Sequence, residues 1–205
     1  MTNHDAGLLS RFLRSPLTLC ASLCFSLGGC SSVDPAGSEA NPLASAPVAA
    51  DQINWPRQYN PDDAAFFVHN QIFIAASPEV VWGVLMEADS WPSWYAGAED
   101  VQVQSAADGR LYAHASFKWR TMGLRFTSVV KEFEPPYRLS WESRRSAIQG
   151  YHAWLLIPTE GGTRLVTDES QHGFLATMQR LFLRNKLYDL HETWLEAIKA
   201  RAEER

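Results

Sequence analysis

Cysteine is scarce in this 205-residue chain, and its distribution limits the available chemistry. The three cysteines are Cys20, Cys24 and Cys30, so no thiol follows residue 30. An internal disulfide, a catalytic thiol and a thiolate metal ligand are therefore excluded from residues 31–205.

The chain also lacks a long apolar run and an excess of positive charge. Its N-terminal apolar stretch, Leu17–Leu27, has eleven residues, whereas a helix that spans a bilayer needs about 20. The 18 Lys and Arg residues are outnumbered by 23 Asp and Glu, which gives a net charge of −5. Nucleic-acid-binding proteins usually carry a basic face, so this balance argues against such a partner.

Several motifs of catalysis are missing as well. The sequence has no glycine-rich phosphate loop and no Gly-x-Ser-x-Gly elbow. His191 begins the segment "HETW", but no second histidine follows at the spacing of the helical zinc motif. Because no cluster of metal-ligating residues stands out in the sequence either, we predict no metal and no cofactor.

The N-terminus has the layout of a secretory signal. Arg11 and Arg14 precede the apolar stretch, which ends in Leu27-Gly28-Gly29-Cys30. This ending resembles the lipobox of bacterial lipoproteins. The resemblance implies that the signal peptide, residues 1–29, is removed and that Cys30 is lipidated. Ser31 stands where an aspartate would resemble an inner-membrane retention signal, so the expected location is the outer membrane, facing the periplasm.

Residues 30–62 differ in composition from the rest of the chain. Fourteen of the 20 residues from 31 to 50 are Ser, Ala, Gly or Pro, and none is aromatic. Such a segment cannot bury enough apolar surface to fold, which predicts a disordered tether after Cys30. Trp55, Pro56 and Pro61 indicate that residues 51–62 lie across the surface of the domain that follows, residues 63–205.

The domain has an α+β pattern. A strand-like run at 64–76 precedes a helix that is capped by Ser77-Pro78, and six further strand-like segments follow. Apolar residues at helical spacing predict one long closing helix over 175–202.

This order resembles the START-like superfamily of polyketide cyclases, dehydrases and lipid transport proteins. The resemblance covers 65–203 and rests on "ASPEVVWGVLMEADSWPSWY", "FEPPYRLSWE", "GYHAWLLIPTEGGTRLVTDE" and the closing helix. It implies the helix-grip fold, in which a curved antiparallel sheet wraps around a long C-terminal helix and leaves a cavity. The superfamily includes lipid carriers, receptors, cyclases and regulators, so the resemblance indicates fold more strongly than function.

Alternation along the strands predicts which side chains face that cavity. His152 and Glu169 share a face as a cross-strand pair if the turn at residues 160–161 aligns position 152 with 169. The pair can be a buried contact that fixes the register, a polar anchor for a ligand, or an acid–base pair. The predicted aromatic lining consists of Trp119, Phe126, Trp141 and Trp154, together with Phe182 on the closing helix.

We expect a membrane-tethered binding or carrier module for an apolar small molecule, most plausibly a lipid. One alternative is a cyclase- or hydratase-type enzyme in which His152 and Glu169 exchange protons. The other is a scaffold whose interior is filled by its own tryptophans, of which the chain has eight. A cavity under about 300 Å³ would favour the scaffold. The sequence identifies no protein partner.

The lipid anchor is testable. Cys30→Ser is expected to release the protein from membranes, because the acyl chains on Cys30 supply the attachment, at about 0.8 kcal/mol for each buried methylene. The mature chain has a net charge of about −6, so electrostatic attraction to anionic headgroups does not replace them. Fractionation of labelled protein measures the effect, with Cys24→Ser as the control that leaves the lipobox intact. A Cys30→Ser protein that sediments fully with membranes would contradict the lipoprotein hypothesis.

Overall fold

The computed structural model describes residues 52–205. The predicted signal peptide, the lipidated Cys30 and most of the predicted tether lie outside the described residues. Within 52–205, no helix is both long and apolar enough to cross a membrane.

One antiparallel sheet of seven strands forms the framework of the domain. Its spatial order is β1-β7-β6-β5-β4-β3-β2, so only the β1–β7 neighbours are distant in sequence. The strands are β1 (Phe66–Ile74), β2 (Glu99–Val103), β3 (Ser116–Thr121), β4 (Leu124–Glu134), β5 (Arg138–Arg145), β6 (Ile148–Thr159) and β7 (Gly162–His172). The α+β class predicted from the sequence is confirmed.

Three α-helices complete the domain. The first, α1 (Pro78–Met86), begins where the sequence predicts, with Ser77 at its N-cap position and Pro78 in its first turn. The closing segment forms two helices, α2 (Phe174–Phe182) and α3 (Arg184–Glu203), rather than the one predicted. Leu183 interrupts them with φ −132° and ψ 32°. No glycine or proline occurs between residues 174 and 203, so the usual sequence signal for a break is missing here.

A tight turn fixes the register of the two central strands. Thr159 of β6 pairs with Gly162 of β7, which leaves Glu160 and Gly161 as the two turn residues. Gly161 has φ +79°, a conformation that side chains with a Cβ rarely adopt. Counting back along both strands, His152 lies opposite Glu169. The predicted cross-strand pair is therefore confirmed.

The two faces of the sheet are covered differently. The inner face, defined here as the one that packs against α3, carries the main core. The largest fully buried side chains of this core are Trp91, Phe117, Trp141, Trp154 and Trp194. On the outer face, Ile53, Trp55 and Tyr59 pack against Tyr151 and Ala153, so the packed part of the chain extends N-terminal to β1.

A hydrogen bond holds this N-terminal segment in place. The Tyr59 hydroxyl donates to Glu142 Oε1 over 2.6 Å, and both side chains are buried. Arg144 also donates to Glu142, and this bond, together with the Tyr59 bond, outweighs burial and lowers the pKa of Glu142 to about 2.

Trp194 is expected to contribute much more to stability than the other large aromatic residues of the closing segment. Its ring stacks on Tyr95 at 4.4 Å and meets Trp91 and Trp154 edge-on. Trp194→Ala should lower the free energy of unfolding by about 3–5 kcal/mol. Phe182 is 76% exposed, so Phe182→Ala should change it by less than about 0.5 kcal/mol. Urea denaturation of both variants measures the difference, and equal losses would contradict this packing.

Candidate functional site

A small cavity lies between the inner face of the sheet and the closing helices. Its volume is about 30 Å³, enough for one or two water molecules. Strands β3 to β7 and both closing helices contribute to its wall. The lining residues are Tyr95, Trp119, Thr121, Met122, Phe126, Trp141, Ser143, Ile148, Gly150, His152, Glu169, Gln171, Gln179, Leu187, Leu190, His191 and Trp194.

Most of the predicted site residues meet at this cavity. Five of the seven line it, namely Trp119, Phe126, Trp141, His152 and Glu169. Trp154 lies behind His152, where the two rings stack at 4.9 Å, and it is fully buried. Phe182 is 76% exposed on α2 and does not reach the cavity wall. The interruption at Leu183 explains its position, because the predicted apolar stripe assumed one continuous helix.

Three polar side chains, His152, Glu169 and His191, form a buried group that we call the polar trio. Glu169 Oε2 lies 3.5 Å from His152 Nδ1 and 3.2 Å from His191 Nε2. The two imidazole rings stack at 4.7 Å with an angle of 19° between their planes. A carboxylate from the sheet thus contacts one histidine from the sheet and one from α3.

Neighbouring side chains hold two members of the trio. His152 Nε2 is 2.6 Å from the side-chain hydroxyl Oγ1 of Thr167, which lies on the adjacent strand β7, opposite Trp154. Gln171 Nε2 donates to Glu169 Oε1 over 2.7 Å. These bonds leave His152 Nδ1 and Glu169 Oε2 directed at each other and at His191.

His191 was not predicted as a site residue, although a signal for it exists. It lies four residues after Leu187 and three before Trp194, both of which are buried on α3. A histidine at that spacing belongs to the buried stripe of the helix. The sequence alone does not say which sheet residue it meets.

Burial acts on the ionisation of two members of the trio. It lowers the pKa of His152 to about 3, so the ring is neutral at neutral pH. For Glu169, burial raises the pKa, but the hydrogen bonds from His191 and Gln171 to its carboxylate lower it. The pKa of Glu169 is therefore below its ordinary value, and the cavity contains a carboxylate.

Unsatisfied polar atoms concentrate around the cavity. Five atoms of lining residues are buried and make no hydrogen bond to any part of the chain that the structure describes: Trp141 Nε1, Gln171 Oε1, Gln179 Oε1, His191 Nδ1 and Trp194 Nε1. Each such atom costs about 1–3 kcal/mol if it stays unpaired. The cavity can therefore hold a polar molecule or the polar end of a larger one.

Comparison with known proteins identifies the fold. The family model described as polyketide cyclase/dehydrase and lipid transport matches residues 66–203. No curated protein matches the chain. A solved structure of the hypothetical protein jhp0584 from Helicobacter pylori has 25% identity and a TM-score of 0.70, over 74% of this chain and 96% of that one.

Two more distant structures share the fold alone. A START superfamily protein from Mycobacterium smegmatis has 15% identity and a TM-score of 0.55, over 67% of this chain and 97% of that one. The Zhui aromatase/cyclase from Streptomyces sp. R1128 has 14% identity and a TM-score of 0.57, over 68% and 94%. The predicted helix-grip fold is confirmed. Because the family model matches more than half of its residues, the chain belongs to the polyketide cyclase/dehydrase and lipid transport family.

Proposed function

We propose that this protein is a membrane-tethered module that binds a small amphipathic molecule, namely a lipid, with its polar end at the trio. The observation that carries the proposal is the contrast inside the cavity. Its wall is mainly aromatic and aliphatic, yet it holds an ionised Glu169 and five polar atoms without partners among the described residues. A ligand with an apolar body and a hydroxyl head, which can both donate and accept hydrogen bonds, supplies what these groups lack.

The size of the cavity sets a condition on binding. A volume of about 30 Å³ is well below the 300 Å³ or more of usual ligand sites. By the criterion set from the sequence, this value favours the scaffold interpretation for the closed form. A lipid can enter only if part of the wall moves.

Helix α2 is the part of the wall that is most weakly held. Only Ala176 and Gln179 among its nine residues are buried. Two non-helical residues bound it, Gly173 with φ +104° and Leu183. Because α2 buries little surface, its displacement costs less than that of α3, and it would open the cavity beside Gln179.

The outer surface of α2 supports exchange with a bilayer. Phe174, Leu181 and Phe182 are 60–76% exposed. Arg180, Arg184 and Lys186 are exposed around them. Exposed aromatic and aliphatic groups that are flanked by basic residues are typical of helices that lie at a membrane interface. The chain has a net charge of −5, but this local surface is basic and can approach anionic headgroups.

The proposed lipid anchor at Cys30 would keep this surface close to the outer membrane. The family description, which names lipid transport, supports the same function. It also names cyclases and dehydrases, and one relative of similar fold is an aromatase/cyclase, so an enzyme is the alternative that the binding experiment must address.

Ligand binding can be measured with a fluorescent fatty alcohol. The wild type should bind it saturably, and His152→Gln should bind it about tenfold more weakly, because one hydrogen bond to the hydroxyl head is lost. His69→Gln is the matched control, since His69 contacts Asp168 at 2.6 Å on the outer face. No saturable binding by the wild type would support the scaffold, and product formation that His152→Gln abolishes would support the enzyme.

The role of α2 can be tested separately by vesicle flotation. Without the lipid anchor, α2 should bind membranes only weakly and reversibly, so a Cys30→Ser chain should float in part, and only with a large excess of vesicles that contain phosphatidylglycerol. Adding Phe182→Asp should abolish this partial flotation. Phe73→Asp is the matched control, because Phe73 is 47% exposed but lies on β1. Equal flotation of the two aspartate variants would contradict docking through α2.

A further inference from the structure

We propose that the polar trio is a binding site for a divalent transition-metal ion, with Zn²⁺ as the best match. Two imidazoles and one carboxylate are a donor set that zinc takes in catalytic sites. The proposal does not depend on the identity or existence of a lipid ligand. It revises the sequence-based prediction of no metal, which treated His191 as part of an incomplete helical motif.

Two of the three separations between donor atoms fit tetrahedral coordination. With zinc–ligand bonds of about 2.0–2.1 Å, neighbouring ligand atoms lie about 3.3 Å apart. The two measured nitrogen–oxygen distances are 3.5 Å, from His152 Nδ1 to Glu169 Oε2, and 3.2 Å, from His191 Nε2 to the same oxygen. One donor atom from each of the three side chains lies within 4.8 Å of the other two.

The hydrogen bonds of His152 and Glu169 are those that hold metal ligands in position in other proteins. Metal-binding histidines usually pass their other N–H to an oxygen, which fixes the ring and its tautomer. Thr167 Oγ1 occupies that position for His152 Nε2 and leaves Nδ1 free to bind an ion. Gln171 holds Glu169 Oε1 in the same way and leaves Oε2 toward the two rings.

One ring must turn for the site to close. The His152 and His191 rings are nearly parallel, and stacked rings direct their lone pairs along parallel lines. His191 is the ring that can turn, because its Nδ1 has no hydrogen-bond partner among residues 52–205. Turning the ring changes its stacking on His152 and its contact with Glu169, and the ion replaces the contact with Glu169.

The cavity provides the fourth coordination position. It adjoins all three side chains and has room for a water molecule. An open position is typical of catalytic zinc sites, whereas structural sites are closed by four protein ligands. The outer-face pair of His69 and Asp168 offers a contrast, because it has two donors and a half-exposed imidazole.

The test uses metal alone, on the full-length chain in detergent after removal of metal with a chelator. Cys20, Cys24 and Cys30 can bind zinc through their thiols, so the chain carries Cys20→Ser, Cys24→Ser and Cys30→Ser. Calorimetric titration should give one Zn²⁺ per chain, and Co²⁺ should give the visible absorption of a tetrahedral site. Zn²⁺ should also raise the melting temperature in proportion to the logarithm of its concentration.

Variants locate the ion. His191→Gln and Glu169→Gln should each weaken Zn²⁺ binding by about 100-fold or more, and Thr167→Val by about tenfold, as for an outer-shell partner. His69→Gln should bind as the wild type does. Cooperative urea unfolding of each variant without metal checks its fold. The proposal is overturned if the wild type binds no stoichiometric Zn²⁺, or if a folded His191→Gln protein binds it as tightly.

Discussion

The burial of the Glu169 carboxylate is the constraint on which the arrangement of this domain depends. An ion moved from water into an aromatic core costs several kcal/mol unless partners compensate it. Here the compensation comes from two directions: a hydrogen bond from Gln171 on the same strand and one from His191 on α3. Because one partner belongs to the helix, the charge ties the position of α3 to the register of β6 and β7. A helix shifted by one turn would leave the carboxylate without that partner.

The two closing helices differ in how tightly they pack against the rest of the domain. Around the trio, α3 and the sheet interlock through Trp194, Trp141 and Trp154, with ring centroids 5.0–6.2 Å apart. On the N-terminal side of Leu183, α2 exposes Phe174, Leu181 and Phe182 to solvent. The sheet can therefore pack tightly against α3 and still leave α2 free to move away from the cavity.

The structural features that could be predicted from the sequence are those that follow a periodic pattern of residues. Strand alternation predicted five residues of the cavity wall. The Glu160–Gly161 turn limited the partner of His152 to residue 168 or 169, and the structure selects Glu169. The interruption at Leu183 was not predictable, because no residue there breaks a helix by its own preference. The misplacement of Phe182 follows from that interruption. His191 was not among the predicted site residues, because helical spacing identifies the buried face of a helix but not the sheet residue that this face contacts. The cavity volume depends on how tryptophan rings pack, which no pattern encodes.

The aromatic surroundings of the trio have an optical consequence. Indole rings this close exchange excitation energy, so light absorbed by Trp154 or Trp141 is shared with Trp194 before it is emitted. The His152 ring lies within 4.8–5.7 Å of all three. Any event that alters the charge or orientation of that imidazole changes the emission of the whole cluster. The domain thus carries its own spectroscopic reporter at the place where its chemistry is concentrated.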